Sequence, residues 1–167
     1  MLIKICVYVL ICTIGLWSAP NASADLSPPS EPDLEILERV QFSVQDNRTQ
    51  AWQLVLFQRG AERKAQDYRL RLIGFPGQVV LHHPAPLTIE DGYQHQWLAP
   101  DQTLRDSQLE SVFQSVGEYD VGNIMAEIDA PERLKLSVSL AQGDQRVLIV
   151  PQHRVREWIA KSATVKR

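Results

Sequence analysis

Four side chains able to bind metals or move protons fall close together in the chain: His82, His83, Asp91 and His95. Imidazole nitrogens and a carboxylate are donors that zinc accepts, and a hairpin between them could bring the two ends of this stretch together. The spacing argues against it. Adjacent side chains on a strand point to opposite faces, so at most one of His82 and His83 can join His95 unless the strand has already ended. No His-x-Glu or His-x-x-x-His pair supplies the rest of a ligand set. The expectation is therefore no metal and no cofactor, with His83 at the edge of a strand that Pro84 terminates.

Nucleophilic chemistry has less support. The chain has no G-x-S-x-G turn, and its two cysteines are Cys6 and Cys12, near the N-terminus. The carboxylates Glu90, Asp91, Glu118 and Asp120 fall where turns are expected, and acidic residues are common there as caps. No catalytic residue is assigned, and the reading is of a protein that is not an enzyme.

Two groups of residues suggest binding instead. Arg59, Arg63, Lys64, Arg69 and Arg71 gather five positive charges against Glu62 and Asp67. Arg69 and Arg71 share one face of a strand whose other face is Tyr68, Leu70 and Leu72. If exposed, such a face would steer an acidic partner protein or an anionic membrane surface. Trp52, Phe75, Tyr93 and Trp97 could line the mouth of a barrel around a small apolar ligand. Nucleic acid is not expected, because acidic side chains outnumber basic ones, 20 to 17, and no basic stripe runs through the chain.

These residues must be positioned by a β framework. Val40, Phe42 and Val44 alternate with Arg39, Gln41 and Ser43, as on a half-buried strand. Asn47-Arg48-Thr49 matches a glycosylation acceptor but reads as turn chemistry. Residues 51–57 are apolar on both faces, which predicts a central strand. A third strand at residues 68–72 ends in Gly74-Phe75-Pro76-Gly77, where Pro76 presets a turn and Gly77 can take a positive φ. A short strand at residues 79–82 follows. Asp91-Gly92 predicts a tight type I′ hairpin between residues 87–89 and 93–98. Residues 133–140 and 147–150 form another hairpin around Gln142-Gly143-Asp144. Weak helical period appears at residues 108–114, and Asp120 is placed to cap a short turn through Met125. Val155, Trp158, Ile159 and Ser162 share one face of a C-terminal helix, expected to plug an end or a face of the sheet. The fold class is mainly β: an antiparallel β-sandwich or small open barrel with a C-terminal amphipathic helix and one or two short helical turns.

Residues 1–24 read as a secretory signal peptide: Lys4, an apolar stretch at residues 5–17, Pro20, and Ala22-Ser23-Ala24 ahead of Asp25. The apolar stretch is shorter than the about 20 residues a spanning helix needs, and no transmembrane segment is expected after cleavage. Removal of Lys4 and both cysteines would leave 16 basic against 20 acidic side chains and no thiol. Residues 25–36 read as a proline-rich arm, residues 37–163 as a single β domain, and residues 164–167 as a tail.

The segments Trp52-Gln53-Leu54-Val55-Leu56-Phe57, Arg71-Leu72-Ile73-Gly74-Phe75-Pro76-Gly77, His83-Pro84-x-Pro86-Leu87, Gly117-x-Tyr119-Asp120 and Glu157-Trp158 together resemble a cyanobacterial family of small exported proteins known as a domain of unknown function, family 3122. The resemblance spans about residues 37–159. It implies a periplasmic or thylakoid-lumen location and brings no activity, cofactor or catalytic residue. The function expected is a non-catalytic extracytoplasmic interaction or assembly module. A small apolar ligand-binding β-barrel is the alternative, and a metal-dependent hydrolase stands third.

Overall fold

The computed structural model describes residues 39–59, 68–105, 109, 113–128 and 133–164. The expected signal peptide and proline-rich arm, Arg63, Lys64, most of the helical period at residues 108–114 and the last three residues lie outside these.

Among the described residues, eight strands form two four-stranded antiparallel sheets. The first has the order β1 (Arg39–Gln45), β2 (Ala51–Gln58), β3 (Tyr68–Ile73) and β6 (Val116–Asp120). The second has the order β5 (Gln96–Ala99), β4 (Leu87–Glu90), β7 (Leu134–Ser139) and β8 (Gln145–Val150). The mainly β sandwich expected from alternation is what forms, and the sheets do not close into a barrel.

Register follows the period of two. Phe42 pairs with Leu54, Leu54 with Leu72 and Leu70 with Tyr119, which sends one apolar row of each strand into the space between the sheets. From the second sheet, Ile89 pairs with Leu136 and Leu136 with Leu148 on the facing side. Leu54, Leu72, Leu87, Leu136 and Leu148 are fully buried there. β2 lies inside its sheet with Val55 and Phe57 buried on the outer face as well, as its doubly apolar sequence requires.

Helix α1 (Gly122–Glu127) follows β6, and the Asp120 carboxylate accepts a hydrogen bond from the Gly122 N–H at 3.2 Å. Helix α2 (Gln152–Thr164) buries Val155, Trp158 and Ser162 along one side. The Trp158 ring meets Phe42 of β1 at a centroid distance of 5.6 Å, and the Tyr68 hydroxyl donates to the Lys161 carbonyl at 3.2 Å. The helix thus folds back onto the first sheet's inward side chains.

Three expectations are corrected. The Asp91-Gly92 hairpin is not a two-residue turn: Glu90 pairs with Gln96, so residues 91–95 form the loop, and only Gly92 takes a positive φ, of 83°. The Asp91 carboxylate accepts from the Tyr93 and His95 N–H groups, which favours the longer loop. Residues 79–82 supply a single bridge, Leu81 to Leu140, rather than a strand. Residues 116–120, whose acids read as caps, form strand β6 instead. Gly77 does take its positive φ, 78°, with the Gln78 N–H bonded to the Phe75 carbonyl.

Beyond the ladders, isolated bridges join the flanks of the two sheets: Asp46 to Leu148 beside β1 and β8, and Asp101 to Tyr119 beside β5 and β6.

Candidate functional site

The groups with chemical potential gather at the second of these flanks. The chain leaves β5 through Pro100 and runs beside β6, with the Asp120 N–H bonded to the Pro100 carbonyl and the Gln102 N–H to the Glu118 carbonyl. This puts Asp101 against His83, whose Nδ1 lies 2.6 Å from the Asp101 Oδ2. Their side chains are 5% and 3% exposed. The Thr103 hydroxyl donates to Asp101 Oδ1 at 2.6 Å and accepts from the Glu118 N–H at 2.8 Å.

Glu118, fully buried on the outer face of β6, accepts from Arg71 Nη2 at 2.7 Å and Nε at 3.2 Å. Arg59 Nε lies 3.5 Å from its other oxygen. One continuous polar chain therefore runs from His83 through Asp101, Thr103 and Glu118 to Arg71.

Burial would raise the Asp101 carboxyl, but hydrogen bonds from His83 and Thr103 and the charge of His83 outweigh it and hold the group below the usual carboxylate range. The Tyr119 hydroxyl is pushed well above its ordinary value by burial and by the negative charge of Asp101. An imidazole held by a carboxylate is the orienting half of a hydrolytic triad. Here the neighbouring Thr103 hydroxyl donates to the same aspartate that holds the histidine. The arrangement fixes two chain segments to each other.

The opposite flank repeats the device. Asp46 Oδ2 takes the Trp52 indole N–H at 3.0 Å and lies 3.2 Å from Arg146 Nε, while Oδ1 accepts from the Arg48 and Gln50 N–H groups. Against the effect of burial, these bonds and the Arg146 charge hold Asp46 below the usual range.

The histidines that a hairpin could have brought together are engaged with different partners. His83 engages Asp101, and His95, largely exposed, engages Asp91 at 2.6 Å and stacks on Trp97. His82 is exposed. Among the described residues no group of three or more His, Cys, Asp or Glu is placed to hold a metal ion.

The basic face is partly assembled, and its described arginines meet acids. Arg69 and Arg71 do share the outer face of β3, but Arg69 stands opposite Asp120 with an ion pair at 2.7 Å, and Arg71 stands opposite Glu118. Arg71 and Arg59 also flank the Phe57 ring, at 5.1 and 6.0 Å from its centroid. Arg63 and Lys64 lie outside the described residues. The sequence carries a signal for this pairing, because acids spaced by two on β6 match arginines spaced by two on β3.

The four aromatics do not line one pocket. Trp52 is in the core, Phe75 and Tyr93 are exposed at 60% and 72%, and Trp97 is half-buried with its indole N–H bonded to Glu127 at 2.7 Å. A hollow of about 390 Å³ lies elsewhere, on the outer side of the first sheet, lined by Arg71, Ile73, Leu109, Gln114 and Val116 among others.

Residues 24–160 match the family described as Protein of unknown function (DUF3122). The chain belongs to this family. No curated protein and no solved structure matches it. The family match takes in both buried aspartates and the polar chain between His83 and Arg71.

Proposed function

We propose that this chain is a non-catalytic interaction or assembly module working outside the cytoplasm, in the periplasm or thylakoid lumen of a cyanobacterium. The observation that carries the reading is the filled space between the sheets. Leucines from both sheets, Trp52, Tyr68, Tyr119 and Trp158 occupy it at 2% exposure or less, which favours a solid scaffold over a ligand-holding barrel. The buried histidine, aspartates and glutamate are also engaged with one another and with arginine, in bonds that hold the chain together. The signal-like residues 1–24 support the address.

The test is native mass spectrometry on protein purified at low salt from the host's extracytoplasmic fraction. A species heavier than the monomer by a protein-sized increment is expected, on a chain beginning at Asp25. A monomer carrying a stoichiometric small molecule overturns the reading, and a chain retaining residues 1–24 overturns the location.

The hollow beside Arg71 favours a second reading, a small apolar ligand bound on the outside of the sandwich rather than in a barrel mouth. Ile73, Leu109 and Val116 give it apolar walls. Bound small molecule lost on Val116→Arg is the result that would select it.

A further inference from the structure

The two sheets differ on their outer faces. The first carries Arg69, Arg71, Glu118 and Asp120 over the buried Val55 and Phe57. The outer face of the second has three of the six exposed large apolar side chains found among the described residues: Leu98 at 62%, Ile149 at 44% and Val80 at 39%. Val80 belongs here because its carbonyl bonds the Ala141 N–H beyond β7, while its neighbours Val79 and Leu81 are buried inward.

Register arranges this face in rows. One row, across β5, β4, β7 and β8, is Leu98, Thr88, Ser137 and Val147, with no charge. The next is Gln96, Glu90, Lys135 and Ile149. Its only charges are Glu90 and Lys135, side by side on the two central strands and ion-paired at 2.7 Å while still 30% and 44% exposed.

From this arrangement we infer that the outer face of the second sheet pairs with the same face of a second copy, about a twofold axis running parallel to the strands between β4 and β7. The inference rests on the interaction-module reading and names the partner. Rotation about that axis reverses the strand order. It lays Glu90 over Lys135 of the second copy and Lys135 over its Glu90, so the two charges of these rows are complemented twice by one operation. The same rotation sets Leu98 over Val147 and Thr88 over Ser137. An isologous interface requires this reciprocity, in which residue i meets j and j meets i. A partner of uniform charge would meet one of the two central charges with its like; a second copy meets each with its opposite.

The face is small. Four strands spaced by about 4.8 Å, two of four residues and two of six, cover roughly 19 by 17 Å, which places the contact with weak, concentration-dependent interfaces rather than permanent ones.

Sedimentation equilibrium on protein from the overexpressing native host, in the form that host accumulates, tests it over about 10 µM to 1 mM. Wild type is expected to dimerise within this range. Glu90→Lys alone, and Lys135→Glu alone, each put like charges in register and are expected to weaken dimerisation at least about tenfold. An equimolar mixture of the two variants is expected to associate again, because each surface then complements the other, whereas the pair within each chain stays broken. Leu98→Asp, at an exposed position that leaves the fold intact, is expected to leave a monomer. A wild type that stays monomeric at 1 mM, a mixture no tighter than its components, or a dimer indifferent to Leu98→Asp overturns the self-pairing. A monomer that still carries a heterologous protein in the native mass spectrum would overturn the self-pairing alone, and a small-molecule carrier that dimerises through this face would overturn the module reading alone.

Discussion

His83 and Asp101 touch at 2.6 Å across a junction that joins the end of one sheet to the edge of the other, with almost no solvent reaching either side chain. Removing the charge while keeping the shape tests what this contact does. Asp101→Asn is expected to cost about 2–3 kcal/mol at neutral pH, the scale of hydrogen bonds to a charged group, read from urea unfolding.

The same carboxylate sets a pH dependence. Its folded value is depressed, so its contribution is present above the ordinary carboxylate range and is lost as pH falls below about 4 through the folded value. Asp46 acts in the same direction. Acid unfolding curves of wild type and Asp101→Asn should therefore converge as pH drops. Parallel curves down to the lowest pH would refute the assignment.

Arg71 and Glu118 set up a differential test on one strand pair. Glu118 has no exposed side-chain surface, whereas Asp120, the partner of Arg69, is 35% exposed. Arg71→Leu removes both hydrogen bonds that the buried carboxylate accepts from Arg71 and leaves it Arg59 at 3.5 Å, so it is expected to cost about 2–3 kcal/mol, while Arg69→Leu is expected to cost about 1 kcal/mol or less. Arg71→Leu combined with Glu118→Leu should recover much of the loss. Equal melting curves for the two single variants would show that the burial of Glu118 is not maintained in solution.

Trp158→Ala removes the largest ring on the buried side of α2 and its contact with Phe42. A cost of about 3–5 kcal/mol is expected, seen as a sharply lowered melting temperature or loss of soluble protein. An unchanged melting temperature would mean that α2 does not dock.

Gly74 has no space for a side chain: a Cβ there would lie 2.2 Å from Val79 Cγ2 and 3.1 Å from the Trp52 ring. Gly74→Ala is expected to destabilise by about 1–3 kcal/mol. Adding Val79→Ala should relieve the clash, and a double variant no better than the single one would place the strain on Trp52 instead.

Much of the fold was legible because strands with one buried face must alternate. Val40, Phe42 and Val44, or Leu134, Leu136 and Val138, announce their side of the sheet by period alone, and Val155 with Trp158 does the same at helical spacing. β6 escaped because its inward row includes Gly117, which contributes no apolar signal, and two of the three residues of its outward row, Glu118 and Asp120 beside Val116, are typical turn residues. The partners of His83 and Arg71 escaped for a different reason. Asp101 and Glu118 lie 18 and 47 residues away from them along the chain, and contacts of that range are made by topology, which a pattern of residue types does not specify. The acids that pair with Arg69 and Arg71 were hidden on the same point, since their place depended on which strand would lie beside β3.

The bridges at Asp46 and Asp101 tie the edges of the sandwich to each other, and this bears on how the molecule comes apart. An edge strand ordinarily frays on its own. Here β1 cannot peel away without releasing the Asp46 bonds to Trp52 and Arg146, and with them the end of β8. On the other side, β6 cannot separate without exposing Asp101, Thr103 and the carboxylate of Glu118 together. Partial opening at either margin is thereby coupled to loss of the whole, so the described β framework should unfold as one cooperative unit, with margins protected from hydrogen exchange nearly as well as its centre.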